Sequence, residues 1–256
     1  MDEFQVEVAE RVAANALNKE FCDIAGTFMR ASISRKYSYG FSWLGRPIIQ
    51  YPQDMVAMQE LIWTVRPDLI IETGIARGGS LVFSASMLAL LDMCDAAAAG
   101  EKLDPGQPRR KVVGVDIDIR PHNRAAIEVH PLASRIQMIE GSSIAAEIIG
   151  QVRAIASTYS NIMVCLDANH THDHVLAELE AYAPLTSKGS YCVVFDTVVE
   201  DMPEDMFPDR PWGPGNNPKT AAHEYLRAHP EFKIDEDIQN KLMITVAPDG
   251  YLQRVG

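Results

Sequence analysis

The stretch Asp68-Leu-Ile-Ile-Glu-Thr-Gly-Ile-Ala-Arg-Gly-Gly-Ser80 constrains this chain more than any other, because an apolar run ends in an acid and then breaks into glycines. Leu69, Ile70 and Ile71 have the unbroken hydrophobicity of a strand buried on both faces, and Ser80 through Leu91 has the composition of a helix. The glycines between them, Gly74, Gly78 and Gly79, let the backbone turn sharply and approach a ligand, with the first amides of the helix pointing into the crevice. The spacing is Gly-x-x-x-Gly-Gly, which is neither the Gly-x-Gly-x-x-Gly of a dinucleotide fold nor a Walker loop. Glu72 argues the same way. A carboxylate at the strand end repels a pyrophosphate but pairs with an ammonium group or accepts from hydroxyls.

Further strands follow, alternating with helices. Lys111 to Asp118 reads as the second, Arg135 to Ile139 as the third, Asn161 to Asp167 as the fourth and Gly189 to Asp196 as the fifth. A late strand is expected over Lys241 to Ala247, with Pro248-Asp-Gly250 as a tight turn into Tyr251 and Leu252. The alternation predicts an α/β fold with a doubly wound, mostly parallel sheet whose ligands bind outside the carboxyl ends of the strands. Glu72, Asp116, Asp167 and Asp196 all fall at such ends, and four acids on one rim describe a site. Asp116 is the first choice to accept from ribose hydroxyls and Asp118 the second. Glu140-Gly-Ser142-Ser143 is a turn placed to border an adenine.

Residues 1–52 read as an N-terminal extension and 53–256 as the main domain. Phe4, Val8 and Val12 lie at helical spacing, and the following stretch is rich in aromatics and turn residues, with Trp43 a candidate for an acceptor pocket. A helix is expected from Gln53 to Val65 with Asp54 in its first turn, and an exposed loop from Ala96 to Pro108. The segment from Val199 to Pro218, containing Trp212, reads as a lid or binding loop opening into a helix at Pro218.

A formal net charge of −12 repels nucleic acid and anionic membrane, so a small molecule is the expected partner. No apolar run in the sequence reads as a bilayer span and no signal peptide is evident, which gives a cytoplasmic expectation. The four cysteines form no Cys-x-x-Cys pair and predict neither a disulfide framework nor a zinc site.

The acid-x-Gly pattern after the first strand resembles motif I of class I S-adenosylmethionine-dependent methyltransferases. Together with Trp43-Leu-Gly-Arg-Pro47, Gly114-Val-Asp-Ile-Asp118, Leu166-Asp-Ala-Asn-His170 and Val194-Phe-Asp196, it resembles the cephalosporin hydroxylase family, which is related to rhamnosyl and other sugar O-methyltransferases. The resemblance implies a Rossmann-like seven-stranded sheet and S-adenosylmethionine as cofactor, seated by Glu72, Gly74, Gly78, Gly79, Ser80, Asp116 or Asp118, Ser142, Ser143 and Asp167. It implies a hydroxyl of a natural product or its sugar moiety, as in antibiotic biosynthesis, as acceptor; a homo-oligomer is the expected assembly. It also implies a divalent cation, magnesium, held by an acid after strand four and an acidic pair after strand five.

Asp167 and Asp196 match two of those metal acids, whereas Phe195 stands where the family has the third. Two acids with water make a weaker magnesium site. His170, three residues after Asp167, is the candidate general base, since imidazole accepts protons near neutrality, and Asp167 is its catalytic partner. Trp43, His170 and Trp212 are the candidate acceptor contacts, while His172 and His174 read as solvated or packed. The rival readings are an oxygenase, as the family name suggests, and a non-catalytic metabolite-binding protein. The sequence carries no convincing two-His-one-carboxylate set in a β-scaffold and no haem or flavin signature.

Overall fold

The computed structural model describes residues 2–256. Leu69, Ile70 and Ile71 form the centre of strand β3 (Leu69–Thr73), and all three are inaccessible to solvent. Alternate side chains feed opposite faces, with Ile70 in one apolar cluster and Leu69 and Ile71 in the other. The strand is central because both faces need a cover. Labelled in chain order, the sheet adds β4 (Lys111–Asp116), β5 (Ile136–Glu140), β6 (Ile162–Leu166), β7 (Tyr191–Val194), β8 (Phe232–Ile234) and β9 (Tyr251–Arg254). Its order is β5-β4-β3-β6-β7-β9-β8, parallel from β5 to β7, with β9 antiparallel to both its neighbours. The order reverses between β3 and β6, which places the ligand crevice at their carboxyl ends.

Two helices, α1 (Glu3–Leu17) and α2 (Lys19–Ser34), precede a small antiparallel hairpin of β1 (Phe41–Trp43) and β2 (Arg46–Ile48). Asp2 caps α1 with a reciprocal capping box, and Asn18 both ends that helix and caps α2. Met29, Ile48 and Tyr51 of this N-terminal segment are buried in the same cluster as Ile70. The helix α4 (Gly79–Ala99) is 21 residues long and apolar enough to pass for a membrane span, contrary to the sequence reading. Leu81, Val82, Ala85, Leu88 and Leu91 are buried along it, so its hydrophobicity is explained by packing against the sheet. The expected loop at Ala96 begins only after Ala99, because the alanines continue the helix to Gly100.

The expected strand over Lys241 to Ala247 is not formed. Residues Glu236–Leu242 are the helix α9, and the chain from 243 to 247 runs irregularly to the turn before β9. The cause lies in α3 (Pro52–Val65), where Asp54 is fully buried and accepts from Thr245 Oγ1, from the Val246 amide at 3.0 Å and from Tyr251 Oη at 2.8 Å. The Val246 amide, which a sheet would use, is spent on a carboxylate.

Burial pushes the Asp54 carboxyl up to about 6 in spite of those three donors. A carboxyl raised on folding favours the native state when protonated, so its contribution is complete below its unfolded value near 4 and is lost as pH rises through 6. Between pH 4 and 7 the wild type should therefore lose on the order of 3 kcal/mol of unfolding free energy relative to Asp54→Asn. Urea melts of the two proteins across that range check this, and parallel pH profiles would refute it.

Candidate active site

The glycine loop follows β3 directly. Gly74 has φ +89°, and a Cβ there would lie 2.0 Å from the Asp167 carbonyl oxygen. Only glycine lets the loop pass so close to the end of β6. Gly78, at φ +79°, caps α4, and a Cβ on Gly79 would strike the Pro47 carbonyl of the hairpin at 2.3 Å. Between them Ala76 also takes a positive φ of 46°, a strained conformation for a residue with a side chain. Several contacts hold it. Asp116 Oδ2 accepts from the Ile75 and Ala76 amides at 2.8 and 3.1 Å, and Asn123 Nδ2 donates to the Ala76 carbonyl at 3.0 Å. Arg46 from the hairpin donates to the Arg77 carbonyl and to Asn123.

Asp116 Oδ1 also accepts from the Asp118 amide at 3.1 Å, so the carboxylate is largely committed to its own loops. The Asp118 side chain is exposed beside Arg120. Ser143 Oγ contacts His174 Nε2 at 3.1 Å while its carbonyl accepts from Tyr182, and Ser142 is half-buried on the same turn. Trp43 donates to Ser86 Oγ at 2.9 Å and packs edge-on against Phe83, so it backs the cleft wall through that ring. His172 is held by Thr220 at 2.8 Å on the first turn of the helix α7 (His172–Tyr182).

A narrow cleft opens behind the loop, lined by Glu72, Ser80, Ser84, Gln50, Asp54, Asp167 and Phe195 among others. Three carboxylates face it and, among the described residues, no basic side chain lines it. Glu72 is buried and takes a hydrogen bond from Ser84 Oγ. Burial raises its carboxyl despite the Ser84 and Ser80 hydroxyls. Burial first, then the Asp196 and Glu72 charges, lifts Asp167 well above the usual carboxylate range. A positive ligand relieves all of these groups at once, so the cleft fits the ammonium and sulfonium of S-adenosylmethionine.

At the outer end of the cleft Asp167, His170 and Asp196 bring one ligand atom each within 4.8 Å of one another. His170 Nε2 stands 3.3 Å from Asp196 Oδ2, and the Trp212 ring meets the imidazole edge-on at 5.3 Å between centroids. The structure thus joins His170, Asp167, Asp196 and Trp212 but leaves Trp43 behind the wall. Phe195 is buried, its ring on the cleft lining. Asp167 and Asp196 offer oxygens that, with water, fit a divalent cation such as magnesium, and the third donor of the cluster is the His170 imidazole, while Phe195 supplies no carboxylate. Sequence reading passed over Gln50, Arg46 and Asn123 as site-forming residues and gave Asp54 only a helix-start role. Each acts through a partner far away in the chain, and although Arg46 lies in the Trp43–Pro47 stretch, no local pattern shows what it holds.

A strand order that reverses at the glycine loop and closes with one antiparallel strand is the class I methyltransferase arrangement. CmcI solved with magnesium and S-adenosylmethionine shares the fold at a TM-score of 0.54 and 18% identity, covering 85% of this chain and 78% of that one. CalS11, a TDP-rhamnose 3′-O-methyltransferase of calicheamicin biosynthesis, shares it at 0.53 and 17% identity, covering 100% and 96%. The family model for rhamnosyl O-methyltransferase/CmcI matches residues 35–255. A rhamnosyl O-methyltransferase of Mycobacterium bovis (strain BCG / Pasteur 1173P2) is 32% identical over 206 residues, 78% of this chain and 73% of the relative. The Mycobacterium leprae (strain TN) rhamnosyl O-methyltransferase is 31% identical over 215 residues, 83% and 82%. The chain belongs to the rhamnosyl O-methyltransferase/CmcI family, and it is an S-adenosylmethionine-dependent O-methyltransferase.

Proposed function

We propose that this enzyme methylates a hydroxyl of a deoxysugar, rhamnose in the first instance, on a small glycosylated natural product. The observation that carries the reading is the acid cleft without a basic side chain, opening onto the Asp167, His170 and Asp196 cluster at the reversal point of the sheet. The cleft seats the cationic end of the donor, and the cluster receives the acceptor hydroxyl. The relatives named for rhamnosyl O-methylation support the sugar.

Methyl transfer is an in-line displacement, so the chain has to align the acceptor oxygen with the donor and remove one proton. Asp196, 3.3 Å from His170 Nε2, orients the imidazole so that a proton held on Nε2 leaves Nδ1 to take the hydroxyl proton. Trp212, perpendicular to the imidazole at 5.3 Å between centroids, packs against the same ring. Asp167 and Asp196 would hold a divalent cation together with water, and such an ion would supply a lower pKa and a fixed orientation to the acceptor hydroxyl. One imidazole with two carboxylates is the reverse of the two-His-one-carboxylate set of an oxygenase iron, which counts against hydroxylation.

The test is incubation with S-adenosylmethionine and a panel of rhamnosides, both glycosidic and nucleotide-linked, with methylated product read by mass spectrometry. Calorimetry with S-adenosylhomocysteine should show saturable binding, weakened about tenfold or more by Glu72→Ala, the cost of a lost hydrogen bond to a charged group. Transfer to none of the sugars would sink the acceptor assignment. Unchanged affinity in Glu72→Ala would sink the placement of the donor.

A further inference from the structure

Gln50 lies on the link between β2 and α3, outside every motif considered above, and is 8% exposed. Its Nε2 donates to Asp167 Oδ2 at 3.3 Å, and its Oε1 is buried with no partner. Among the described residues, it is the one buried unpartnered side-chain atom that belongs to the cleft lining. Leaving such an acceptor unmet costs about 1–3 kcal/mol, so a partner from outside the chain is implied. The amide is placed with its NH₂ group towards Asp167. Turning it over would set its oxygen against the Asp167 carboxylate, whereas the NH₂ group makes a donor there.

Resting on the donor reading above, we propose that Gln50 recognises the amino-acid end of S-adenosylmethionine, its Oε1 accepting from the ammonium while its Nε2 holds Asp167 towards the acceptor. Asp54 is taken up by Thr245, Val246 and Tyr251, so Glu72, which also takes Ser84, and Gln50 are left to face the ammonium together. Of the donor's groups, adenine and ribose are neutral and the carboxylate is repelled by these acids. The ammonium is the group that is both positive and rich in N–H donors. Gln50 thereby joins the donor seat to the acceptor cluster through a single side chain, and its amide acts on Asp167 as a positioning group.

The experiment compares two probes by calorimetry: S-adenosylhomocysteine, which keeps the ammonium, and 5′-methylthioadenosine, which lacks the whole amino-acid arm. Gln50→Leu should bind S-adenosylhomocysteine about 10- to 100-fold more weakly, the range for a hydrogen bond to a charged group, and hold 5′-methylthioadenosine within about twofold of wild type. Retained binding of 5′-methylthioadenosine also certifies that the variant is folded. Gln50→Met, closer in length, serves if leucine leaves the chain unfolded. Undiminished affinity for S-adenosylhomocysteine overturns the proposal, and so does an equal loss for both probes, which would mean general damage to the cleft. Wild-type protein that binds neither probe overturns the donor reading itself and this proposal with it.

Discussion

His170→Ala should lower turnover on the true acceptor by about 10²- to 10⁴-fold, the usual worth of a general base, while S-adenosylhomocysteine still binds with wild-type affinity. The split follows from position. His170 stands at the outer end of the cleft against Asp196 and Trp212 and does not line it, whereas Glu72 and Gln50, which face the donor, do. Chelator given to the wild type should remove part of the activity, and magnesium should restore it, because two carboxylates with water form a weak cation site. Single-turnover rates with and without chelator, for both proteins, separate the two contributions. Full activity of His170→Ala in chelator would defeat both, leaving only the positioning of an already acidic hydroxyl.

Gly74→Ala should cost at least about 3 kcal/mol of stability and abolish donor binding, since backbone strain and an unrelieved clash add together. The new Cβ would sit 2.0 Å from one backbone oxygen and 2.6 Å from its carbon, both in Asp167, so no rotamer change clears the contact. Moving Asp167 instead disturbs the cluster that receives the acceptor. Gly150→Ala is the matched control. Gly150 lies within the helix α6 (Ala146–Ala156), a Cβ there meets nothing within 4 Å, and the change should stabilise by about 0.5–1 kcal/mol. Urea unfolding of the two variants should therefore shift in opposite directions. Equal and small shifts would show that the loop yields more than this geometry allows.

What the sequence made legible is what rests on local pattern. The Leu69 to Ile71 run, its glycines and the acids at the ends of β3, β4 and β6 announce themselves because strand burial and sharp turns leave consecutive residues as their signature. The Lys241 to Ala247 segment shows where that logic fails. Leu-Met-Ile-Thr-Val has the composition of a strand, yet its hydrogen bonds go to Asp54, some 190 residues earlier, and composition does not record that partner. The short β8 was passed over because Phe232-Lys-Ile234 is too brief to show a period. Gln50 was invisible for the same reason as Asp54. Its meaning comes from Asp167, 117 residues away, and from an oxygen that meets nothing.

The tether between Asp54 and residues 245–251 also bears on how the chain is made. During synthesis Asp54 leaves the ribosome 191 residues before Thr245, so the donors that satisfy it arrive only after the strands from β3 to β7 have been made. Until then the cleft has an acid in its lining with no hydrogen-bond donors, and burying it is unfavourable. The parallel strands from β3 to β7 can assemble earlier, but the pocket they border closes after them. A nascent chain therefore holds its cofactor only once residues 245–251 have docked, which ties the onset of ligand binding to a contact made long after the glycine loop is synthesised.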